Sequence, residues 1–504
     1  MRGARRVFDH FDTKHSSETA QLADLYDLVV VGAGVAGLNA LYAATEYLPK
    51  GARVLLIDQK DMAGGMWNVA YDYVRLHQPH PMFTVGDLKW GWNKPPSYLA
   101  KRDEVRDHLA SALAPIADRV QLDLRFGHTV TGCEDMRAED GYRAAVTFHA
   151  NGDAEESVTV QATRAIHAPG LDYRLAEPLV FSNGHVISIL PQDLLETLAA
   201  HPGRPVYVVG GGKTGMDTIL ATLAENPERE VTLINGRGTN FLNRTKYLPN
   251  GLKRWTSGML ISRLFRDLAL TFDGLNEDHL IDHFRRQHSS DPDSANGVFL
   301  YGLQSEEERA RIEAGLAQRH DGYLEDVEGP AEAPVMRLRG GQRVDVPAGS
   351  IFVNCTGSFF RSPEKAHVHP FLSPQGTVMS INARDGFHFL TSVAGFFATH
   401  LLYRGQLANA GFYTLDLEEL FRRNRNAWVG ASSAQAYMNQ VIAVQILPMM
   451  LLDRCALDFD RWYPLPRRIA GLIRMKSTAQ ADIAHCRGVL ERVADRFEVR
   501  CAPV

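Results

Sequence analysis

Gly32, Gly34 and Gly37 stand at G-x-G-x-x-G spacing directly after the apolar run Leu28-Val29-Val30-Val31. After a buried strand, that spacing serves a phosphate. The first glycine lets the chain turn, the second lets the backbone approach a pyrophosphate, and the third lets a helix pack closely on the strand. Free amides at the helix N-terminus then face negative charge. The next apolar run, Arg53-Val54-Leu55-Leu56-Ile57, ends on Asp58, where the dinucleotide fold needs an acceptor for ribose hydroxyls. The pattern recurs after Val206-Tyr207-Val208-Val209, with Gly210, Gly212 and Gly215 enclosing Lys213 and Thr214. Here the following run, Glu230 to Ile234, ends on Asn235, and Gly236-Arg237 comes next. A guanidinium at Arg237 can pair with the 2′-phosphate of NADP, although a surface arginine has the same appearance in sequence. Arg244 and Lys246 are the next candidates for that contact.

Between the two turns lie further polar and aromatic groups. Gly64-Gly65-Met66-Trp67 places Gly65 where backbone amides can lie against a ring or phosphate, with Trp67 beside it. His77 and Gln78 sit between Leu76 and Pro79 in a segment whose prolines, Pro79 and Pro81, exclude a regular helix. Such a pair is pre-aimed and is expected at the reactive edge of a cofactor, although a pair facing solvent or capping a neighbouring loop has the same appearance in sequence.

Strands, helices and breakers must position these groups. A chain of 504 residues, 45% hydrophobic and 22% charged, suits several globular domains. An antiparallel meander is expected from Val120 to Val160 and a helix from Lys101 to Ala117. The breaker cluster His201-Pro202-Gly203-Arg204-Pro205 reads as a linker. Ser350 to Gly357 reads as a buried strand ending in a small-residue turn, and Phe387 to Leu390 as a strand leading into a helix at Ala394-Gly395-Phe396. The expected class is α/β. A polar arm (1–24) precedes a first dinucleotide-binding part (25–200). A second dinucleotide-binding domain (201–357) carries a mostly helical insertion at about 241–320. The last part (358–504) returns to the first domain and ends in helices.

Several function classes are disfavoured. A net charge of −5 makes no electrostatic case for nucleic acid or acidic membranes. Five scattered cysteines without C-x-x-C spacing suit a reducing, cytoplasmic setting and give no zinc site. No metal ligand set is assigned, His367 and His369 lacking partners at metal spacing. The N-terminal Met1 to Leu22 is not a secretory signal in pattern. Val441 to Leu452 is too short to span a bilayer, and Pro466-Arg467-Arg468 reads as a solvated turn.

Two dinucleotide folds in one chain call for two dinucleotides, most commonly FAD with a nicotinamide. The chain resembles the flavin-containing monooxygenase-like group (class B flavoprotein monooxygenases). The likeness rests on the first glycine motif with Asp58, the Gly64 to Trp67 turn, and the second motif with Asp217 just after it. Ala168 to Gly170, Cys355 to Gly357, and Arg75-Leu76-His77-x-Pro79 are also similar to family segments. It covers roughly Leu25 to Gly357. The family's F-x-G-x-x-x-H-S element is only approximated by Phe181 to Ser188, which lacks its histidine. The resemblance implies FAD at the first turn, NADPH at the second, a flavin C4a-(hydro)peroxide, and transfer of one oxygen atom from O2 to a small organic substrate. His77 and Gln78 would then act catalytically beside the flavin. Open alternatives are a single-component flavin-dependent halogenase using Lys89 or Lys213, an NADPH oxidase, and a non-enzymatic nucleotide-sensing flavoprotein. A dithiol–disulfide reductase needs a cysteine pair where Gly65-Met66-Trp67 stands. Substrate identity and oligomeric state are not legible.

Overall fold

The computed structural model describes residues 25–170, 176–357, 360, 369–455 and 460–504. The expected arm at 1–24 and His367 lie outside the described residues. The first sheet contains β1 (Leu25–Val31), β2 (Arg53–Asp58), β3 (Gln121–Phe126), β4 (His128–Ala138), β5 (Gly141–Ala150) and β6 (Val158–His167), in the order β3-β2-β1-β6-β5-β4. β1 runs parallel to both β2 and β6 and is central. Leu28 to Val31 are correspondingly buried, as expected of a parallel strand covered on both faces. One apolar layer contains Leu28, Val30, Val54 and Leu56, and the opposite layer Val29, Val31, Leu55 and Ile57.

The expected meander is realised only as β4-β5-β6. β3 instead pairs parallel with β2, because the helices Arg102–Ser111 and Leu113–Ala117 carry the chain back across the sheet before β3 begins. Phe387 to Leu390 forms no strand. The Phe387 carbonyl accepts from Asn439 Nδ2 (2.8 Å) and the Leu390 amide donates to His388 Nδ1 (2.9 Å), so side chains satisfy this backbone without a ladder. The returning strand is Val378–Ser380, which takes the place of β5 beside Ala165 to His167. The helix Thr391–Tyr403 does follow. Gly395 lets it approach the first turn, since a Cβ there would lie 2.4 Å from the Ala36 carbonyl oxygen.

The second sheet contains β7 (Ile187–Ile189), β8 (Val206–Val209) and β9 (Val231–Gly236); Ile351–Asn354 lies between β8 and β7, Gln318–Asp321 forms the edge beside β9, and all pairings are parallel. β7 precedes the breaker cluster at 201–205, so sheet membership changes earlier in the chain than residue 201. Both sheets are Rossmann-like α/β units. The insertion carries the helices Ile261–Thr271, Glu277–His288 and Glu306–Gly315, and also a parallel ribbon of Thr239–Asn243 with Val298–Gln304. Its helix Ile261–Thr271 packs on the buried helix Arg425–Ile446, which also packs against Leu465–Phe497. Arg266 grips Asp482 of that last helix through two bonds (2.8 and 3.0 Å). Among the described residues no helix is long and apolar enough to cross a membrane.

Buried histidines give the fold a pH dependence. His108 stacks on Trp90 at 3.9 Å and its Nε2 lies 2.6 Å from Thr84 Oγ1. Burial, helped by the charge of nearby His80, lowers its pKa to about 4. The unfolded chain therefore takes up a proton near pH 6.5 that the folded chain refuses, and stability is lost as pH falls from there towards 4. Replacing the histidine removes its share. Between pH 7 and pH 5, His108→Gln should lose less unfolding free energy than wild type, by about 2 kcal/mol, in urea titrations at each pH.

Candidate functional site

The two glycine turns are built alike. Val31 pairs with Ile57 and Val209 with Ile234. Gly32 then donates to the Ile57 carbonyl (2.7 Å), and Gly210 to that of Ile234 (2.9 Å). Gly32 and Gly210 take φ of +98° and +120°, a region that L side chains rarely adopt. A Cβ at Gly37 would fall 1.8 Å from the Gly32 carbonyl oxygen, and one at Gly215 would fall 2.0 Å from that of Gly210. The middle glycines differ. Around a Cβ at Gly212 there is nothing within 4 Å, and at Gly34 only the Gly65 Cα at 3.5 Å. Each turn thus leaves one bare stretch of backbone at the start of a helix, Val35–Ala44 or Lys213–Glu225. That cradle is open to a phosphate and would be filled by a side chain.

Asp58 is buried at the end of β2. Its Oδ2 accepts from the Ala33 amide (2.6 Å) and its Oδ1 from Lys60 (2.7 Å). Burial raises its pKa against the pull of these amides. The Gly64 amide donates to the Ala33 carbonyl (3.0 Å), and Gly65 lies against Gly34. The expected second turn is therefore packed on the first, with Trp67 buried behind it, edge-on to Phe83 at 5.6 Å.

His77 borders the second half of the chain. The charged groups acting on it are Lys213 and Arg244, both from the second half, and burial together with these cations holds its pKa well below the ordinary histidine range. Its carbonyl accepts from Arg244 (3.3 Å), which also pairs with Glu308 (2.8 Å). Gln78 is half-buried next to it. Just upstream, the Tyr71 hydroxyl donates to Asp217 Oδ2 (2.9 Å), and Tyr73 meets Thr218 Oγ1 (2.9 Å). Lys213 pairs with the same Asp217 one helical turn on. Burial raises the Asp217 carboxyl despite Lys213 and Tyr71. Residues 71–78 of the first half thus dock on the start of the second-turn helix, beside Thr214.

Arg237 is exposed just past β9, with no side-chain ion pair among the described residues. Of the alternative cations, Arg244 is committed to Glu308 and Lys246 donates to the Gln287 carbonyl (2.6 Å). Lys89 is exposed, and no disulfide joins the cysteines. Sequence reading missed Asp321, which pairing of Gln318–Asp321 with β9 carries to Asn235 (2.9 Å) and which is also held by Arg319 (3.0 Å). It also missed Tyr71 and Tyr73, whose alternation was the available signal. A third group, Asp267 with His283 and His288, gathers in the insertion: Asp267 Oδ2 accepts from the two imidazoles at 2.6 and 2.7 Å. Burial opposes ionisation there, but bonds from His288 and His283 outweigh it and hold the carboxyl at about 2.

Residues 26–247 match the family model described as pyridine nucleotide-disulphide oxidoreductase. That span contains both glycine turns, Asp58, Trp67, His77, Gln78 and Arg237. An uncharacterized protein of Mycobacterium tuberculosis is 29% identical over 236 residues, or 44% of this chain and 41% of that protein. The FAD-containing monooxygenase EthA of Mycolicibacterium smegmatis is 21% identical over 248 residues, or 47% of this chain and 48% of its own. The chain spans less than half the length of these relatives. The solved ornithine hydroxylase (PvdA) from Pseudomonas aeruginosa aligns with 76% of this chain and 99% of its own, at 14% identity and a TM-score of 0.49. The chain is thus similar to an FAD-containing monooxygenase, as its motifs led one to expect.

The two kinds of glycine should separate on substitution. Gly37→Ala puts a methyl group into a carbonyl oxygen and should cost about 2–4 kcal/mol in denaturant unfolding. Gly34→Ala meets no backbone oxygen and should cost less than about 1 kcal/mol.

Proposed function

We propose that this chain is an FAD- and NADPH-dependent monooxygenase acting on a small organic substrate. The observation carrying this reading is the pair of like-built glycine turns, with the polar segment 71–78 joining the start of the second to the body of the first. The residues fit the two groups. Gly32, Gly34, Gly37 and Asp58, with Gly65 and Trp67 packed behind, would hold FAD. Gly210, Gly212, Lys213, Thr214, Gly215 and Arg237 would hold NADPH.

When bound, FAD supplies the redox chemistry towards O2 and NADPH the hydride, so that one oxygen atom enters the substrate and the other leaves as water. The protein's part is to bind, orient and exclude water. Asp217 fixes Lys213 and Tyr71, and hence the position of His77. Burial and the two flanking cations keep the His77 imidazole neutral, with one nitrogen able to donate and the other to accept. Gln78 adds an amide donor beside it. Similarity to an FAD-containing monooxygenase supports this reading over the halogenase, oxidase and sensor alternatives, and the ion pair of Lys213 with Asp217 gives that lysine a positioning role.

Purified protein should be yellow, and Gly34→Val should be folded but colourless, since its side chain fills the cradle. A Gly34→Val protein with full flavin content would overturn the first assignment. Arg237→Ala should lower the preference for NADPH over NADH by roughly 10- to 150-fold, the loss of one charged contact; steady-state kinetics with both coenzymes decide this, and an unchanged ratio places the phosphate elsewhere.

His77→Ala and Gln78→Ala should retain flavin and consume NADPH. In at least one of them, hydrogen peroxide released per NADPH should rise by about tenfold, as expected when a hydrogen bond to a charged group is lost. Equal release in wild type and both variants would remove the pair from the reaction.

A further inference from the structure

The overall charge of −5 conceals a strongly basic surface. Residues 244–266 hold six Lys or Arg and no Asp or Glu; residues 461–481 hold five and none. The fold brings parts of these segments together. The long helix Leu465–Phe497 begins against the single turn Gly251–Arg254. Arg254 donates to the Trp462 carbonyl (2.8 Å) and lies over its ring at 4.3 Å. Arg467 reaches back to the carbonyls of Arg254 (3.0 Å) and Gly258 (2.5 Å). The short helix Met449–Asp453 joins them, Asp453 accepting from Arg468 (2.7 Å).

This surface exposes what a folded core normally covers. Leu252 is 81% exposed, Trp255 58%, Met450 79%, Leu465 57% and Ile473 64%. Leu465, Ile469 and Ile473 follow one another at four-residue intervals, an apolar stripe along one helix face. Lys253, Arg474 and Lys476 are exposed around it and form no ion pair among the described residues. Arg254 and Arg467 bond neutral carbonyls and form no ion pair among the described residues.

We propose that this face docks on an anionic lipid bilayer, lying in the headgroup region without spanning it. An apolar helical stripe with an exposed tryptophan and an unopposed basic rim is the pattern that partitions into such an interface. Charge complementarity favours anionic lipid, because each cation near a negative surface adds to the attraction. The inference is independent of the cofactors.

Co-sedimentation of the full chain with vesicles tests it. Wild type should pellet with vesicles of equal phosphatidylcholine and phosphatidylglycerol at low salt, far less with phosphatidylcholine alone, and should be released by high salt. Lys253→Gln/Arg474→Gln/Lys476→Gln should weaken binding roughly 100-fold, and Ile469→Asn/Ile473→Asn at least about tenfold. Unchanged thermal midpoints exclude misfolding of these surface variants. Wild type left in the supernatant, or variants bound as tightly as wild type, would overturn the proposal. So would a wild type that ignores vesicles and forms a dimer dissociated by Ile469→Asn/Ile473→Asn, which would identify a second copy of the chain as the occupant.

Discussion

No side chain fits at Gly37 or Gly215, and the rest of the arrangement depends on that absence. A Cβ at either position would overlap the carbonyl oxygen of Gly32 or Gly210. Without one, each helix starts immediately behind its strand, and its unpaired amides face across the turn. The same closeness requires the strand to be central. β1 and β8 each have parallel partners on both sides, and the crossing strand ends its ladder on the turn itself, through Ala168 to Val31 and Cys355 to Val209 (2.8 and 2.9 Å). A strand so placed must be apolar on both faces, which is why Leu28 to Val31 and Val206 to Val209 contain no polar residue other than Tyr207.

The halves are coupled by a largely buried carboxylate. Asp217 is buried and carries Lys213 from its own helix and Tyr71 from the other half. A buried ion pair adds little net stability compared with apolar packing, but removing one partner is costly because the other charge is stranded. Its consequence is positional: the segment bearing His77 is held in one register against the second glycine turn. The helical layer is joined in a similar way. Asp482 gathers Arg266 from the insertion, Tyr437 from the buried helix and Thr478 from its own (2.7–3.0 Å), so insertion and C-terminal helices form a single packed unit.

Charge shows how an average misleads. The −5 total argues against acidic partners, yet acidic residues are absent from two stretches that the fold places side by side. Sequence order separates 251–258 from 465–476 by some two hundred residues, and only packing makes one surface of them.

The glycine turns, their strands and Asp58 were legible in the sequence because they obey short-range rules. A tight turn, a missing Cβ and an apolar strand are properties of neighbouring residues, and the i,i+4 pair Lys213–Asp217 belongs to the same class. Arg237 was legible as a candidate, with Arg244 and Lys246 beside it; in the fold Arg244 pairs with Glu308 and Lys246 donates to the Gln287 carbonyl. Everything that depends on register was decided by the tertiary structure. β3 joined β2 in parallel because the intervening helices recross the sheet. Phe387 to Leu390 gave up strand geometry because Asn439 and His388 satisfy its backbone. Asp321 met Asn235 only through pairing of the edge strand with β9, and Tyr71 met Asp217 across 146 residues of chain. Local sterics can be read from a few adjacent residues, whereas such meetings depend on how whole sheets and helices pack, and no short segment carries that information.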